Sequence, residues 1–120
     1  DRAASAFIED IIQRGLYEKV LLVITGEFGR TPKINDKGGR DHWGNLCTLA
    51  FAGGGLKMGQ VIGASNKTVS EPARDLVTSN MLLGTVMHTL MNTSTLRLRT
   101  DLPDDVRGVI SNSRPIPQLV

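Results

Sequence analysis

Apolar residues at Ala4, Phe7, Ile8, Ile11 and Ile12 recur at helical spacing, with Glu9, Asp10, Gln13 and Arg14 on the other side. The pattern predicts an amphipathic helix over about Ala3–Arg14, stopped by Gly15. The period then changes: Val20-Leu21-Leu22-Val23-Ile24-Thr25 is an unbroken, β-branched run of the kind buried on both faces of a parallel sheet. A helix feeding such a strand points to α/β architecture. Residues Gly26–Asn45 lose all periodicity and contain five glycines and Pro32, so they read as one long loop of a functional type. Leu46–Ala52 reads as a second strand, Gly53-Gly54-Gly55 as the turn after it, and Gln60–Ala64 as a short third strand.

The polar stretch Asn66–Asp75 carries Pro72 and is expected to be a surface connection. Thr78 is placed to cap a helix running to about Met91, with Met81, Leu82, Val86 and Leu90 along one side and Gly84 weakening it slightly. Leu96–Arg99 reads as extended, Asp101-Leu102-Pro103 opens a small helix through Ile110, and Arg114-Pro115-Ile116-Pro117 is extended. Neither an internal repeat nor a domain boundary is apparent. The chain begins at Asp1 directly in a helical pattern, and it is read as a piece of a longer protein.

Composition changes this picture little, but charge placement matters. The formal charge is only +2, too mild to imply a nucleic-acid or membrane partner. Yet Arg30, Lys33, Lys37 and Arg40 all fall in the Gly-rich loop, with Asp36 and Asp41 among them. That concentration favours an anionic ligand. The single cysteine, Cys47, excludes an internal disulfide or a cysteine-cluster metal site. No apolar run approaches the roughly 20 residues of a membrane helix, and one Trp without interleaved aromatics argues against base stacking on nucleic acid.

Ligands of open α/β sheets gather at the carboxyl ends of strands, and Glu27 stands just past such an end. Its carboxylate there suits a hard metal ligand or a base, or else pairs with Arg30 and shapes the turn. Asp41-His42-Trp43 closes the same loop, so His42 can meet Glu27 as a neutral imidazole ligand, with Asp41 either binding or orienting it. Arg30 and Arg40 are the candidate anion clamps, because a guanidinium presents a planar fork matched to phosphate or sulfate oxygens. Lys33 and Lys37 read as exposed solubilising residues, Trp43 as a loop anchor, and His88 as a core or interface histidine within the second helix. Gly53-Gly54-Gly55 with Lys57 lacks the third glycine of a dinucleotide fingerprint, since Met58 stands there. The tripeptides Asn66-Lys67-Thr68 and Asn92-Thr93-Ser94 fit the glycosylation pattern but recur by chance and are assigned no role.

Three runs carry a resemblance: Gly26-Glu27-Phe28-Gly29-Arg30-Thr31-Pro32, Gly38-Gly39-Arg40-Asp41-His42-Trp43 and Ala52-Gly53-Gly54-Gly55-Leu56-Lys57-Met58-Gly59. Together they are similar to a large bacterial family of sulfatase-like proteins in the alkaline-phosphatase-like superfamily, and the likeness spans nearly the whole chain. It implies that residues 1–120 are the C-terminal portion of a single alkaline-phosphatase-like α/β domain, a sandwich with a largely parallel central sheet flanked by helices. It further implies a metal-dependent hydrolase of sulfate or phosphate esters, in which Glu27 and His42, with Asp41, hold a divalent zinc, calcium or manganese ion. Arg30 and Arg40 then hold the anion. The nucleophile and further ligands are expected upstream of Asp1, so the chain alone is expected to be inactive. Phe28 departs from the superfamily pattern, standing where a second histidine ligand is expected, and leaves three readings: one ion, substitution by Asp41, or a fold that has lost catalysis and kept an anion pocket. The non-catalytic alternative is a binding protein for anionic small molecules or for sulfated or phosphorylated glycans. The resemblance also implies export from the cytoplasm.

Overall fold

Helical periodicity and capping chemistry decide where this chain becomes regular. The structure, a computed structural model, describes residues 1–120. Helix α1 (Arg2–Gln13) follows the amphipathic run, with Ile11 as its buried residue, and its end is closed by backbone donation from Gly15 to Ile12 and from Leu16 to Ile11. Helix α2 (Ser79–Leu90) starts where the sequence predicts it, because the Thr78 hydroxyl accepts from the Met81 amide at 3.3 Å. Asn92 caps the short α3 (Thr93–Arg97) by accepting from the Thr95 amide, so that Leu96 and Arg97, read as the start of an extended piece, are helical. Helix α4 (Asp104–Asn112) follows Pro103 and carries Asp104 and Asp105 in its first turn, where the helix dipole favours negative charge.

The strands are short: β1 (Leu21–Ile24), β2 (Gly29–Arg30), β3 (His42–Trp43), β4 (Ala50–Gly53), β5 (Ala64–Ser65) and β6 (Pro72–Arg74). They form three two-stranded pairings, β1 with β4, β2 with β3 and β5 with β6, of which the last two are antiparallel. This corrects the expectation of a sandwich built on a largely parallel central sheet. The reason is visible in β1: each residue needs neighbours on both edges and both faces to occupy such a sheet. Here β1 has one partner, its residues are half-buried or exposed, and Ile24 is 47% exposed. The expected second and third strands shrink to Ala50–Gly53 and Ala64–Ser65, and the expected surface connection Asn66–Asp75 is largely exposed but contains β6, which closes an irregular hairpin on β5.

The chain divides into two compact units. The first comprises Asp1–Leu21, Ala52–Gln60 and Val77–Val120. Its core is Ile11, Ala52, Ile110, Ile116 and Leu119, joined by the buried polar residues Thr85 and Ser113. Residue Gly84 explains how the C-terminal segment reaches α2. A Cβ at Gly84 would lie 2.5 Å from the backbone carbon and oxygen of Arg114, so only glycine lets the two backbones approach this closely. One residue on, the Thr85 hydroxyl donates to the Met81 carbonyl at 2.7 Å and accepts from the Ile116 amide at 2.9 Å. The second unit, Leu22–Phe51 with Val61–Leu76, contains no fully buried residue and is held mainly by hydrogen bonds. No helix of either unit is long and apolar enough to cross a membrane.

Candidate functional site

All five residues singled out for chemistry lie in the second unit, on or beside one antiparallel ribbon. In the long Gly-rich loop, β2 and β3 pair in the register Gly29↔Trp43 and Arg30↔His42. Directly opposed residues of an antiparallel pair project to the same side, so Arg30 and His42 share a face. Gly29 is required beneath them, because a Cβ there would fall 2.1 Å from the Leu46 carbonyl oxygen. Trp43, expected to anchor the loop in the core, is half-buried and ties the ribbon by a polar bond instead: its indole Nε1 donates to the Ser70 carbonyl at 2.8 Å. The receiving turn is itself fixed by Asn66, whose Oδ1 accepts from the Ser70 amide and whose Nδ2 donates to the Ser70 hydroxyl.

Phe28 forms the middle of a three-layer stack. Its ring lies 3.9 Å from that of His42, inclined by 30°, and the Arg30 guanidinium carbon sits 5.7 Å from the Phe28 centroid. The first is a stacked aromatic contact and the second falls within cation–π range. Phe28 therefore orients both neighbours. A residue that the sequence marks only as a missing ligand has a positioning role of its own.

The crest of the loop is closed by polar bonds. Arg40 uses one nitrogen, Nη1, to donate to both the Thr31 and Pro32 carbonyls at 2.8 Å. Arg30 donates through Nη1 to the Arg40 carbonyl at 3.3 Å. Thr31 and Asp41 exchange backbone and hydroxyl bonds, with the Thr31 amide donating to the Asp41 carbonyl and the Asp41 amide to the Thr31 hydroxyl. Asn35, unmarked by the sequence reading, is the hub: Nδ2 donates to the Asp41 carboxylate at 2.8 Å while Oδ1 accepts from the Lys37 and Gly39 amides. The signal that points to it is the Asn-Asp-Lys-Gly-Gly composition, which favours side-chain-closed turns.

The chain's four ion pairs, Arg14–Asp10, Arg74–Asp75, Arg99–Asp101 and Arg107–Asp104, all lie elsewhere. Thus Arg30, Lys33, Lys37 and Arg40 are exposed or nearly so without a carboxylate partner, and Glu27 does not pair with Arg30. Glu27, Asp41 and His42 are all exposed. Nowhere in the chain do three or more His, Cys, Asp and Glu side chains form a group that could hold a metal ion. His88 is exposed on α2 rather than in the core. Cys47 donates its thiol toward the Gly26 carbonyl at 3.3 Å.

Across its whole length, residues 1–120, the chain matches the model of a family described as a protein of unknown function (DUF1501). It belongs to that family. No curated protein and no solved structure matches this DUF1501 chain. The family assignment carries no activity with it, so the functional argument rests on the ribbon.

Proposed function

We propose that the Gly26–Trp43 ribbon of this DUF1501 chain holds the anion in a hydrolase of sulfate or phosphate esters of the alkaline-phosphatase and sulfatase type. One observation carries the reading: Arg30 and Arg40 are each anchored to backbone carbonyls through Nη1 alone. The Nε and Nη2 edge of each, the fork that matches two oxygens of a tetrahedral anion, has no hydrogen-bond partner within the chain. A guanidinium anchored on one side loses less freedom when it takes an anion, so its charge is delivered at lower entropic cost. Facing a sulfate or phosphate ester, such forks offset the negative charge on the non-bridging oxygens, and they do so more strongly as charge develops in the transition state.

In the same reading Glu27, Asp41 and His42 supply donors for a divalent ion, zinc, calcium or manganese. Their chemistry suits one, but these three residues do not make up a metal site by themselves. An ion here would take further ligands from outside residues 1–120, and when bound it would polarise the ester oxygen.

A second reading, non-catalytic recognition of a sulfated or phosphorylated glycan, draws on two contacts. The His42 ring is covered by Phe28 and the Asp41 carboxylate is tied to Asn35, an arrangement suited to a fixed binding surface.

The test uses the intact protein and calorimetric titration with inorganic sulfate and inorganic phosphate. Removing a charged hydrogen-bond donor costs about 1.5–3 kcal/mol, so Arg30→Ala and Arg40→Ala are each expected to weaken binding by roughly tenfold or more. His88→Ala should leave it unchanged. Turnover of aryl sulfate or aryl phosphate alongside binding supports the hydrolase, and binding without turnover supports the glycan reading. Unaltered anion affinity in both arginine variants would sink both.

A further inference from the structure

We infer that Asn35 is a positioning residue for the anion site, setting the Arg40 fork by gripping the chain on both sides of it. This rests on the anion reading above but concerns a residue other than the two arginines assigned to the anion. On the N-terminal side of Arg40, the Asn35 side-chain oxygen accepts from the Gly39 amide at 3.0 Å and the Asn35 backbone amide donates to the Gly39 carbonyl at 2.8 Å. On the C-terminal side, Asn35 Nδ2 donates to the Asp41 carboxylate at 2.8 Å. The Lys37 amide and the Gly38 amide add two further bonds to the Asn35 side-chain and main-chain oxygens.

The backbone immediately before Arg40 and the side chain immediately after it are therefore both fixed to one residue. The Arg40 side chain can then reach back to Thr31 and Pro32 with a single nitrogen and leave its fork outward. Asn35 is suited to this because its amide combines an acceptor for the two loop amides with a donor for the carboxylate. Aspartate keeps the acceptor and loses the donor, while alanine loses both. The Asp41 carboxylate also needs that tether for a second reason: untethered, it is the nearest acidic side chain in sequence to the Arg40 guanidinium and competes with the anion for it.

A double-mutant cycle on the intact protein tests the inference, with inorganic sulfate and inorganic phosphate as probes and amide hydrogen exchange as a second measurement. Net hydrogen-bond contributions of the usual size predict that Asn35→Ala weakens anion binding by about threefold to tenfold. Asn35→Asp should weaken it comparably while Lys37 and Gly39 keep their exchange protection, because the loop-closing acceptor remains. In an Arg40→Ala background, Asn35→Ala should have no further effect, since the residue acts through Arg40. An equal additional loss in that background, or loss of exchange protection throughout Gly29–Trp43, would show that Asn35 only holds the ribbon together and would overturn the inference. Anion affinity that responds to Arg30→Ala and Arg40→Ala but not to Asn35→Ala also overturns it, leaving the anion reading intact. Affinity that responds to none of the three overturns the anion reading first.

Discussion

Thr85→Val replaces a fully buried hydroxyl with a methyl of nearly the same volume, and so isolates one hydrogen bond from packing. The side chain has 0% exposure and serves two partners. Its donation to Met81 is dispensable, because a helical carbonyl at that position also accepts the amide four residues on. The bond from the Ile116 amide is different. Ile116 is 2% exposed, so without the Thr85 oxygen its N–H is stranded away from water. Leaving a buried donor unsatisfied costs about 1–3 kcal/mol, and about 2 kcal/mol is the expected loss for Thr85→Val. A chain of this size shifts by roughly 4 °C per kcal/mol, so a drop of about 8 °C in melting temperature is expected by calorimetry. Thr85→Ser keeps the oxygen and loses one methyl, and should cost about 1 kcal/mol or less. A Thr85→Val protein that melts with the native one, or a Thr85→Ser protein that melts lower than Thr85→Val, would refute the reasoning.

Two further outcomes follow from single contacts. Gly84→Ala is decided by sign: alanine improves an exposed helix interior by about 1 kcal/mol, but here its Cβ meets Arg114 backbone at 2.5 Å. Destabilisation of about 1–3 kcal/mol is expected by chemical denaturation, and any stabilisation would mean that the C-terminal segment does not cross α2 there. At the surface, the hydrogen bond from Arg99 holds the Asp101 carboxyl down at about 2 against an ordinary 3.8. A lowered carboxylate stabilises the fold above its unfolded value, and that contribution is lost as pH falls from about 3.8 through about 2. Carboxyl NMR titration should find Asp101 low and returned toward 3.8 by Arg99→Ala; an unchanged midpoint in the variant would exclude the pair as the cause.

The sequence announces helices better than sheets here because helix signals are local. The period of α1, the Thr78 cap of α2 and the proline before α4 each act within a turn or two, and all three appear close to where they are expected. Pairing is non-local. The Val20–Thr25 run marks a strand correctly, but apolar character alone cannot say how many neighbours it finds, and the neighbours decide between a parallel core sheet and a two-stranded pairing. α2 misleads for a different reason. Its apolar pattern places Met81, Leu82, Val86 and Leu90 along one side, but Leu90 is 67% exposed and the buried centre is Gly84–Thr85. Burial there follows the close approach of the C-terminal segment, which needs a missing side chain and a hydroxyl rather than a large apolar one. His88, three residues after Thr85 and four after Gly84, shares their side of the helix yet is exposed, so of the expected core or interface position the core one does not hold.

The candidate site was legible as a set of residues and illegible as a geometry, and the second unit makes clear why. Every fully buried residue of the chain belongs to the first unit, so hydrophobic patterning marked the edges of the second, the Val20–Thr25 run above all, and had nothing to report about its ribbon. Its ribbon is shaped by Asn35, Thr31, Arg40 and Trp43 through polar bonds that any loop composition of Asn, Asp, Gly and Arg permits and none compels. Two consequences follow from that physical basis. Polar substitutions in the ribbon remove hydrogen bonds and not core packing, so each should cost no more than a single bond of about 0.5–1.5 kcal/mol in stability. And Arg40, chosen from sequence as an anion clamp, owes whatever it does for an anion to the carbonyls of Thr31 and Pro32 that hold its other side.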